Sequence, residues 1–434
     1  MSPEAAGILG IALLLFLFLL RMPIAFAMAL AGFAGFAYLS GSGPAFSLLA
    51  QDIYESFSSY PLSVIPMFIL MGEFAFASGI SQRLYKTTNT WVGHLTGGLT
   101  IATVLACAGF AAICGSTAAT AATMGKIALP EMKKYKYDNT LATGTVASAG
   151  TLGILIPPST VLIVYGILVE ESIGKLFVAG ILPGALLSIF FVATVAVLCY
   201  RNPQLGPPAA STTWMQKFKA AGGIVEAVIL FLLAIGGLFL GWFSPTQAGA
   251  IGAGGALIIG LIRRKLTWQT FFESGKTGLR TGCMVLFIIT GATVFGHFMA
   301  VSTIPFLLAD WVGALPIHPM AIMCVITFIY FLGGFFMDSM ALIVVTVPIF
   351  WPIVQKLGFD PIWFGVIIVL VAEMGVITPP VGVNVFVIKG IAPDIPLNTI
   401  FKGIFPFLAA LIILTVIILF VPQIATFLPS LISY

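Results

Sequence analysis

Long apolar stretches follow one another along almost the whole chain, separated by short polar segments. They cover residues 5–20, 23–40, 61–79, 140–168, 176–200, 224–242, 245–262, 282–301 and 404–428. A stretch of about 20 apolar residues is long enough to cross the hydrocarbon core of a bilayer as a helix. The alternating segments of about ten residues that a membrane barrel needs are missing. The pattern therefore predicts an all-α polytopic membrane protein.

Composition agrees with this class. The 434 residues are 60% hydrophobic and 8% charged, with a mean hydropathy of +1.13, and these values exclude a soluble globular domain. Glu4 precedes the first apolar stretch and Arg21 follows it, which is the reverse of a cleaved signal peptide. That polarity predicts a retained helix whose N-terminus lies outside. The five cysteines lie in apolar segments without metal-type spacing and are interpreted as packing residues.

The chain contains an internal repeat that is most visible in its prolines. The double prolines at 157–158 and 379–380 are 222 residues apart, and so are Pro130 and Pro352. Matches in the same order at one offset indicate one structural unit used twice. The predicted segments are an N-terminal scaffold over 1–60, a first repeat over 61–200, a linker with scaffold helices and a basic segment over 201–281, and a second repeat over 282–434.

Each repeat is predicted to contain a re-entrant helical hairpin followed by a broken transmembrane helix. The hairpins cover about 98–130 and 319–352, and the broken helices about 140–168 and 361–390. The segment after the first hairpin tip, "TAATAATMGKIAL", is short and rich in small residues. Such composition is typical of re-entrant helices that are buried in protein.

The distribution of basic residues predicts the orientation. If both hairpins enter and leave by one face, 17 of the 19 Lys and Arg fall on the same side, and only Lys175 and Lys356 fall opposite. The positive-inside rule makes the populated side cytoplasmic and the N-terminus external. The first hairpin then opens from the cytoplasm and the second from outside. The two repeats are therefore predicted to be inverted, as in many secondary transporters.

Polar residues are concentrated at the hairpin tips and at the helix breaks. Proline removes a backbone donor and glycine weakens a helix, so carbonyls at a break lack helical partners. Such breaks are tolerated in a membrane where they line a cavity or bind a cation. Two tips facing two breaks predict two cation sites flanking one substrate site. The predicted cation ligands are Gly115, Ser116, Ser148, Gly150, Thr151, Gly153, Asp338, Ser339, Glu373, Gly375 and Thr378.

The predicted ligands differ in how strongly they indicate function. Tracts of Gly, Ser, Thr and Ala are ordinary helix-packing surfaces, and double prolines also occur as simple kinks. Asp338 and Glu373 are harder to dismiss, because ionisable groups at that depth are usually functional. In particular, the interval from Glu373 to Thr378 is predicted to be unwound. Glu73 lies away from tips and breaks, which favours no direct role.

The substrate is predicted to lie between the two cation sites. The candidate substrate-binding residues are Thr117, Pro158, Ser159, Asn384 and Lys389. Lys389 is the candidate for attracting an anion. An equally open interpretation is that its side chain snorkels to the cytoplasmic interface and acts as an anchor there.

Several motifs resemble one known family. They are "PLSVIPMFILMGEFAFASGI", "GSTAATAATMG", "LIPPSTVLIVYG", "GWFSPTQAGAIGA", "FMDSMALIVVTVPI" and "GVITPPVGVNVFV". Together they resemble the large permease subunit of tripartite ATP-independent periplasmic (TRAP) transporters, in the ion transporter superfamily, over essentially the whole chain. One departure is that Cys114 precedes Gly115 and Ser116, where the family often has a Ser-Gly-Ser motif.

The resemblance implies a function. It implies sodium (Na+) as the coupling ion and uptake by an elevator movement in the bacterial inner membrane. The implied partners are a small four-helix membrane subunit, a periplasmic substrate-binding protein, membrane lipid and a small organic solute, mostly a carboxylate or sulfonate. The residues themselves favour only a hard cation on oxygen ligands.

Three other functions compete with this one. A different ion-coupled secondary transporter or a channel would use the same architecture. An intramembrane enzyme is disfavoured, because Asp338 and Glu373 lack the flanking patterns of an aspartyl protease. No Gly-rich nucleotide-binding loop occurs, so the chain itself does not use ATP. The basic loop "EMKKYKYD" is interpreted as a solvated loop, without a nucleic-acid role.

Overall fold

The structure is a computed structural model that describes residues 1–432, which contain helices and no strand. The helices of the first half are α1 (Pro3–Leu19), α2 (Ile24–Ser40), α3 (Ser42–Ser58), α4 (Val64–Ala77), α5 (Ile80–Val92), α6 (Gly98–Cys114), α7 (Thr117–Lys134), α8 (Asn139–Ala149), α9 (Leu152–Leu155), α10 (Thr160–Leu168) and α11 (Ile173–Arg201). The helices of the second half are α12 (Trp214–Phe231), α13 (Gly237–Phe239), α14 (Pro245–Ile262), α15 (Trp268–Ser302), α16 (Ile304–Gly313), α17 (Pro319–Gly334), α18 (Ser339–Lys356), α19 (Pro361–Ile377), α20 (Val383–Ile391), α21 (Leu397–Phe420) and α22 (Gln423–Ser430).

Within residues 1–432, six helices are long and apolar enough to cross a membrane, and eight spans result if each of two bent helix pairs counts as one. One bent pair joins α3 to α4 at 55°, and the other joins α8–α9 to α10 at 41°. The predicted class, an all-helical polytopic membrane protein, is confirmed.

The two halves contain the same order of elements. A pair of helices joined by a tight tip, α6–α7 in one half and α17–α18 in the other, precedes a helix that is interrupted at a double proline. The interrupted helices are α8–α10 and α19–α20, and each is followed by a long apolar helix, α11 or α21. The inversion of one half relative to the other remains a prediction from the charge distribution.

A first packing unit, called here the scaffold, consists of α1–α4, α14 and α15. The long helix α15 packs against both α2 and α4, and α14 packs against α4. Glycines allow the close approach: a side chain at Gly32 would meet the backbone of Phe295 at 2.7 Å. Small residues at helix contacts are typical of membrane proteins, in which packing rather than hydrophobic burial brings helices together.

A second packing unit, called here the hairpin unit, consists of α6–α11 and α17–α21. Helix α19 is its centre, because every residue from Ile362 to Ile377 is buried. The two halves interlock within this unit. The Asn384 side chain of α20 donates to the carbonyl of Ala147 in α8 at 3.0 Å, and Tyr165 of α10 donates to the carbonyl of Pro361 at 2.6 Å. These bonds predict that both hairpins and both breaks move together if they move at all.

An ion-pair node fastens α5 to the scaffold. The Glu226 side chain of α12 is only 11% exposed and pairs with Arg83 of α5 and Arg263 at the end of α14. A second ion pair, between Lys133 and Asp394, lies in solvent, with side chains 75% and 58% exposed. The hydrogen bond from Lys133 lowers the pKa of the Asp394 carboxyl.

Removing Glu226 is expected to destabilise the protein more than removing Asp394. Glu226→Ala leaves two arginines without their shared partner and should lower the free energy of unfolding by about 2 kcal/mol. Asp394→Ala should change it much less, because exposed pairs contribute little. Denaturant unfolding in mixed micelles measures both. Equal losses of unfolding free energy in the two variants would contradict the stabilising role of the ion pairs of Glu226.

Candidate ion and substrate site

Both hairpin tips end in a side chain that caps the following helix. Ser116 precedes α7, and its hydroxyl accepts from the N–H of Ala119 at 3.4 Å. Asp338 precedes α18, and its Oδ1 accepts from the N–H groups of Met340 and Ala341 at 3.0 and 3.2 Å. Serine and aspartate are preferred at this position because they satisfy free N–H groups of the first turn. The two residues that the repeat offset aligns therefore have the same structural position.

The first tip packs directly on the first break. The hydroxyl of Thr160, at the start of α10, donates to the carbonyl of Gly115 at 3.0 Å. A side chain at Gly153 would collide with the carbonyl of Ser116, and one at Gly115 would lie 2.7 Å from the carbonyl of Pro158. Gly115 also has φ +66°, which glycine adopts without strain. Backbone oxygens of the tip and of the break are thus brought together at one point.

In the second half, the end of α17, just before the tip, packs on α19. A side chain at Gly375 would collide with the backbone of Gly334, the last residue of α17. The contact is backbone against backbone, so no flexible side chain could move aside. The structure therefore seats hairpin α17–α18 on the final turn of α19.

The second break lies further along the chain than the sequence indicated. Residues from Glu373 to Ile377 are helical, and Thr378 caps the helix with its N–H and hydroxyl bonded to the carbonyl of Met374. The unwound segment is therefore 378–382 and not the interval from Glu373 to Thr378. The physical reason is that a proline removes its own N–H and restricts the residue before it, without disturbing the preceding turns.

The first break is arranged differently. Helix α8 ends at Ala149, and the single turn α9 follows before the chain extends through Ile156. Gly150 and Thr151 lie in the turn between α8 and α9, where the Thr151 hydroxyl donates to the carbonyl of Ser148 at 2.6 Å.

Buried oxygens without hydrogen-bond partners are concentrated at the predicted ion- and substrate-binding residues. Among the described residues, nine buried side-chain polar atoms lack a partner. Five of them belong to predicted site residues: Ser148 Oγ, Ser339 Oγ, Glu373 Oε1 and Oε2, and Asn384 Oδ1. Burying an oxygen without a partner is unfavourable. A hard cation, which binds oxygen ligands, would satisfy these atoms.

A cavity of about 1130 Å³ lies between the scaffold and the hairpin unit. Its hairpin-unit wall includes both tips, with Ser116, Thr117, Asp338 and Ser339. Its scaffold wall is formed by α2, α4 and α15 and is mostly apolar. The cavity extends towards the basic face, where its lining includes Lys126, Met22 beside Arg21, and Thr277 beside Lys276.

The other predicted substrate residues lie outside the lining of this cavity. Ser159 is buried and caps α10 by accepting from the N–H of Leu162 at 3.1 Å. Asn384 is buried in the contact with α8, and Pro158 packs on Gly115. The Lys389 ammonium donates to the carbonyls of Pro393 and Ile395, both at 2.8 Å. Of the five, only Thr117 lines the cavity.

Two residues that line the cavity were not expected from the sequence. Glu73 of α4 is half-buried and lines the cavity beside the first tip, because a side chain on the neighbouring Gly72 would lie 3.0 Å from the carbonyl of Cys114. Thr160, rather than Ser159, faces the cavity at the first break. A carboxylate within an apolar helix was the available signal for Glu73.

Comparison with known proteins identifies the family. The model of the family "Tripartite ATP-independent periplasmic transporter, DctM component" matches residues 11–424. The chain belongs to this family. It is 36% identical to the C4-dicarboxylate TRAP transporter large permease protein of Pseudomonas aeruginosa, covering 88% of this chain and 89% of that relative. It is 31% identical to the sialic acid TRAP transporter large permease protein of Vibrio cholerae, covering 94% and 95%.

Solved structures of other transporters share the fold of this TRAP permease subunit. The Alcanivorax borkumensis YdaH transporter superposes with a TM-score of 0.65 at 17% identity, covering 88% of each chain. The Neisseria gonorrhoeae MtrF structure gives a TM-score of 0.59 at 13% identity, covering 96% of this chain and 94% of that one. The relatives in sequence are transporter permeases and not enzymes, so the expectation that the chain is not an enzyme is confirmed.

Proposed function

We propose that this chain is the ion-coupled subunit that carries a small organic anion inward across the bacterial inner membrane. The observation that carries the proposal is the meeting of both hairpin tips on one cavity, next to broken helices that bear unpaired buried oxygens. A cavity at the level of two broken helices is the arrangement in which secondary transporters bind substrate and coupling ions.

Sodium is the coupling ion in this proposal. Gly115, Ser116, Ser148, Gly150, Thr151 and Gly153 would contribute to one site, and Asp338, Ser339, Glu373, Gly375 and Thr378 to the other. Hydroxyl, carbonyl and carboxylate oxygens are the only ligands these residues offer, and such ligands suit a hard cation. The described residues contain no cluster of three or more His, Cys, Asp or Glu that would favour a transition metal.

Transport is proposed to proceed by an elevator movement. The hairpin unit is interlocked by the bonds from Asn384 and Tyr165, whereas the cavity separates it from much of the scaffold. Its displacement along α2, α4 and α15 would carry the tips from one face of the membrane to the other. With the basic face cytoplasmic and the N-terminus periplasmic, the cavity of this structure faces inward.

The names of the relatives support the proposed substrate class and partners. The names of three relatives refer to C4-dicarboxylates, sialic acid and isethionate, which are carboxylates or sulfonates. We therefore propose a small organic anion, delivered by a periplasmic binding protein. The small four-helix subunit would pack on the scaffold, where α1 and α3 expose large apolar side chains such as Leu19, Phe46 and Tyr54.

The proposal is tested by uptake into proteoliposomes that contain this chain and the proposed small subunit, with the proposed periplasmic binding protein added. An inward sodium gradient should drive accumulation of the radiolabelled anion above its external concentration. Equal rates with potassium in place of sodium would refute the ion assignment. A flux without a gradient and without binding protein would support a channel instead.

A further inference from the structure

Two charged side chains line opposite walls of the cavity and are unpaired. Glu73 lies on the scaffold helix α4, and Lys126 lies on α7 of the hairpin unit. Within residues 1–432, neither side chain takes part in a hydrogen bond or an ion pair. Glu73 is half-buried, whereas Lys126 is exposed; a half-buried carboxylate on an apolar wall is costly unless it is compensated at some stage. The two groups have opposite sign and belong to different packing units.

Each of the two charges belongs to a stripe of cavity-lining residues that follows one side of its helix. On α7, the residues that line the cavity are Thr117, Ala118, Ala119, Ala122, Thr123 and Lys126, a stripe of small side chains at helical spacing that ends in the lysine. On α4, Ile69, Gly72, Glu73 and Phe76 line the cavity at the same spacing. Both stripes therefore line the same cavity.

The charges are offset along the direction of the helices. Glu73 lies level with the first tip, since its neighbour Gly72 adjoins Cys114, the last residue of α6. Lys126 is nine residues beyond Thr117, the first residue of α7. At a rise of about 1.5 Å per residue, the lysine backbone lies about 13 Å from the tip, towards the basic face. A shift of the hairpin unit by about 13 Å away from the basic face would bring Lys126 level with Glu73.

We propose that Glu73 and Lys126 form an ion pair that latches the opposite, outward-facing state. In that state, the small stripe of α7 closes against α4 and seals the cavity on the basic face. Asp338 is not the acidic partner of Lys126 in this latch, because it belongs to the same packing unit as Lys126 and moves with it. The inference rests on the elevator movement of the proposed function and adds the contact that holds one of its end states.

Charge removal and charge exchange test the latch through the accessibility of the cavity. The reporter is Thr281→Cys on the scaffold wall, in a background whose five native cysteines are replaced, with a maleimide added from the basic face. Glu73→Gln and Lys126→Gln should each increase the labelling rate about threefold to tenfold, the range expected for a partly buried ion pair. The exchange Glu73→Lys with Lys126→Glu should restore the original rate.

The matched control is Lys133→Gln, on the same helix but paired with Asp394 in solvent. It should label at the original rate. Original rates in both single variants, or no restoration in the exchanged variant, would overturn the latch. A second measurement serves where the single variants fold poorly. In a double variant with Glu73→Cys and Lys126→Cys, a short bifunctional crosslinker should join the two introduced cysteines. The reporter cysteine should then be protected from the maleimide. Absence of that crosslink would also overturn it.

Sodium-driven uptake of the unaltered protein, measured in the same vesicles, separates the two proposals. If uptake requires sodium but the labelling rates of the variants are unchanged, only the latch is rejected. Uptake that is independent of sodium rejects the proposed coupling, while the labelling rates still decide whether the two charges meet.

Discussion

Replacing Asp338 by asparagine is expected to raise the sodium concentration for half-maximal uptake by about tenfold. The change removes one negative charge from the second tip, and a loss of about 1.4 kcal/mol corresponds to a tenfold change in affinity. Asparagine retains the cap of α18, because it is as good an N-cap as aspartate. The hydrogen bonds from Met340 and Ala341 can therefore persist, and the variant isolates the charge.

Ser116→Ala is the comparison at the aligned position of the first tip. It removes one neutral ligand and the cap of α7, so the sodium affinity should fall by less than in Asp338→Asn. The measurement is the initial rate of uptake as a function of external sodium, with binding protein present. If Asp338→Asn leaves the affinity and the steepness of that curve unchanged, the proposed second site is wrong.

Gly375→Ala is expected to reduce the initial uptake rate at least about tenfold. The added methyl group would collide with the backbone of Gly334, and overpacking of a close contact costs about 1–3 kcal/mol. The hairpin α17–α18 would be displaced from α19, and the oxygens of its tip would move away from those of the break. Uptake should therefore fall even where the protein remains folded in a thermal melt.

Gly390→Ala provides the matched control in the same broken helix. No atom lies within 4 Å of the position that its methyl group would occupy, so uptake should stay at the original rate. Normal uptake in Gly375→Ala would show that the second hairpin need not be seated on α19 during transport. Equal losses in both variants would indicate a general sensitivity of glycines in this helix pair.

Local chemistry made much of the architecture predictable from the sequence. Apolar runs of spanning length have no stable place except a membrane, so the class followed from hydropathy. Prolines at 157–158 and 379–380 remove backbone donors wherever they stand, and the breaks were placed near them for that reason. Ser116 and Asp338 both precede runs of helix-forming residues, and both are found as N-caps. These properties depend on a few neighbouring residues.

The composition of the cavity depended on contacts between distant segments. Glu73 was interpreted as lying away from the site, because along the chain it is far from both tips; the packing of α4 against α6 places it beside Cys114. Lys389 follows the second break closely, yet its ammonium is bound by the carbonyls of Pro393 and Ile395.

The sequence by itself determined that the chain is a helical membrane protein with two tips and two breaks, since hydropathy, proline and capping act within a turn or two. Only the tertiary structure decided which oxygens meet, because Gly375 and Gly334 approach through a backbone contact that no local pattern specifies. It also decided that Glu73 and Lys126 line one cavity. The faces that two helices present to each other are set by the packing of all their neighbours.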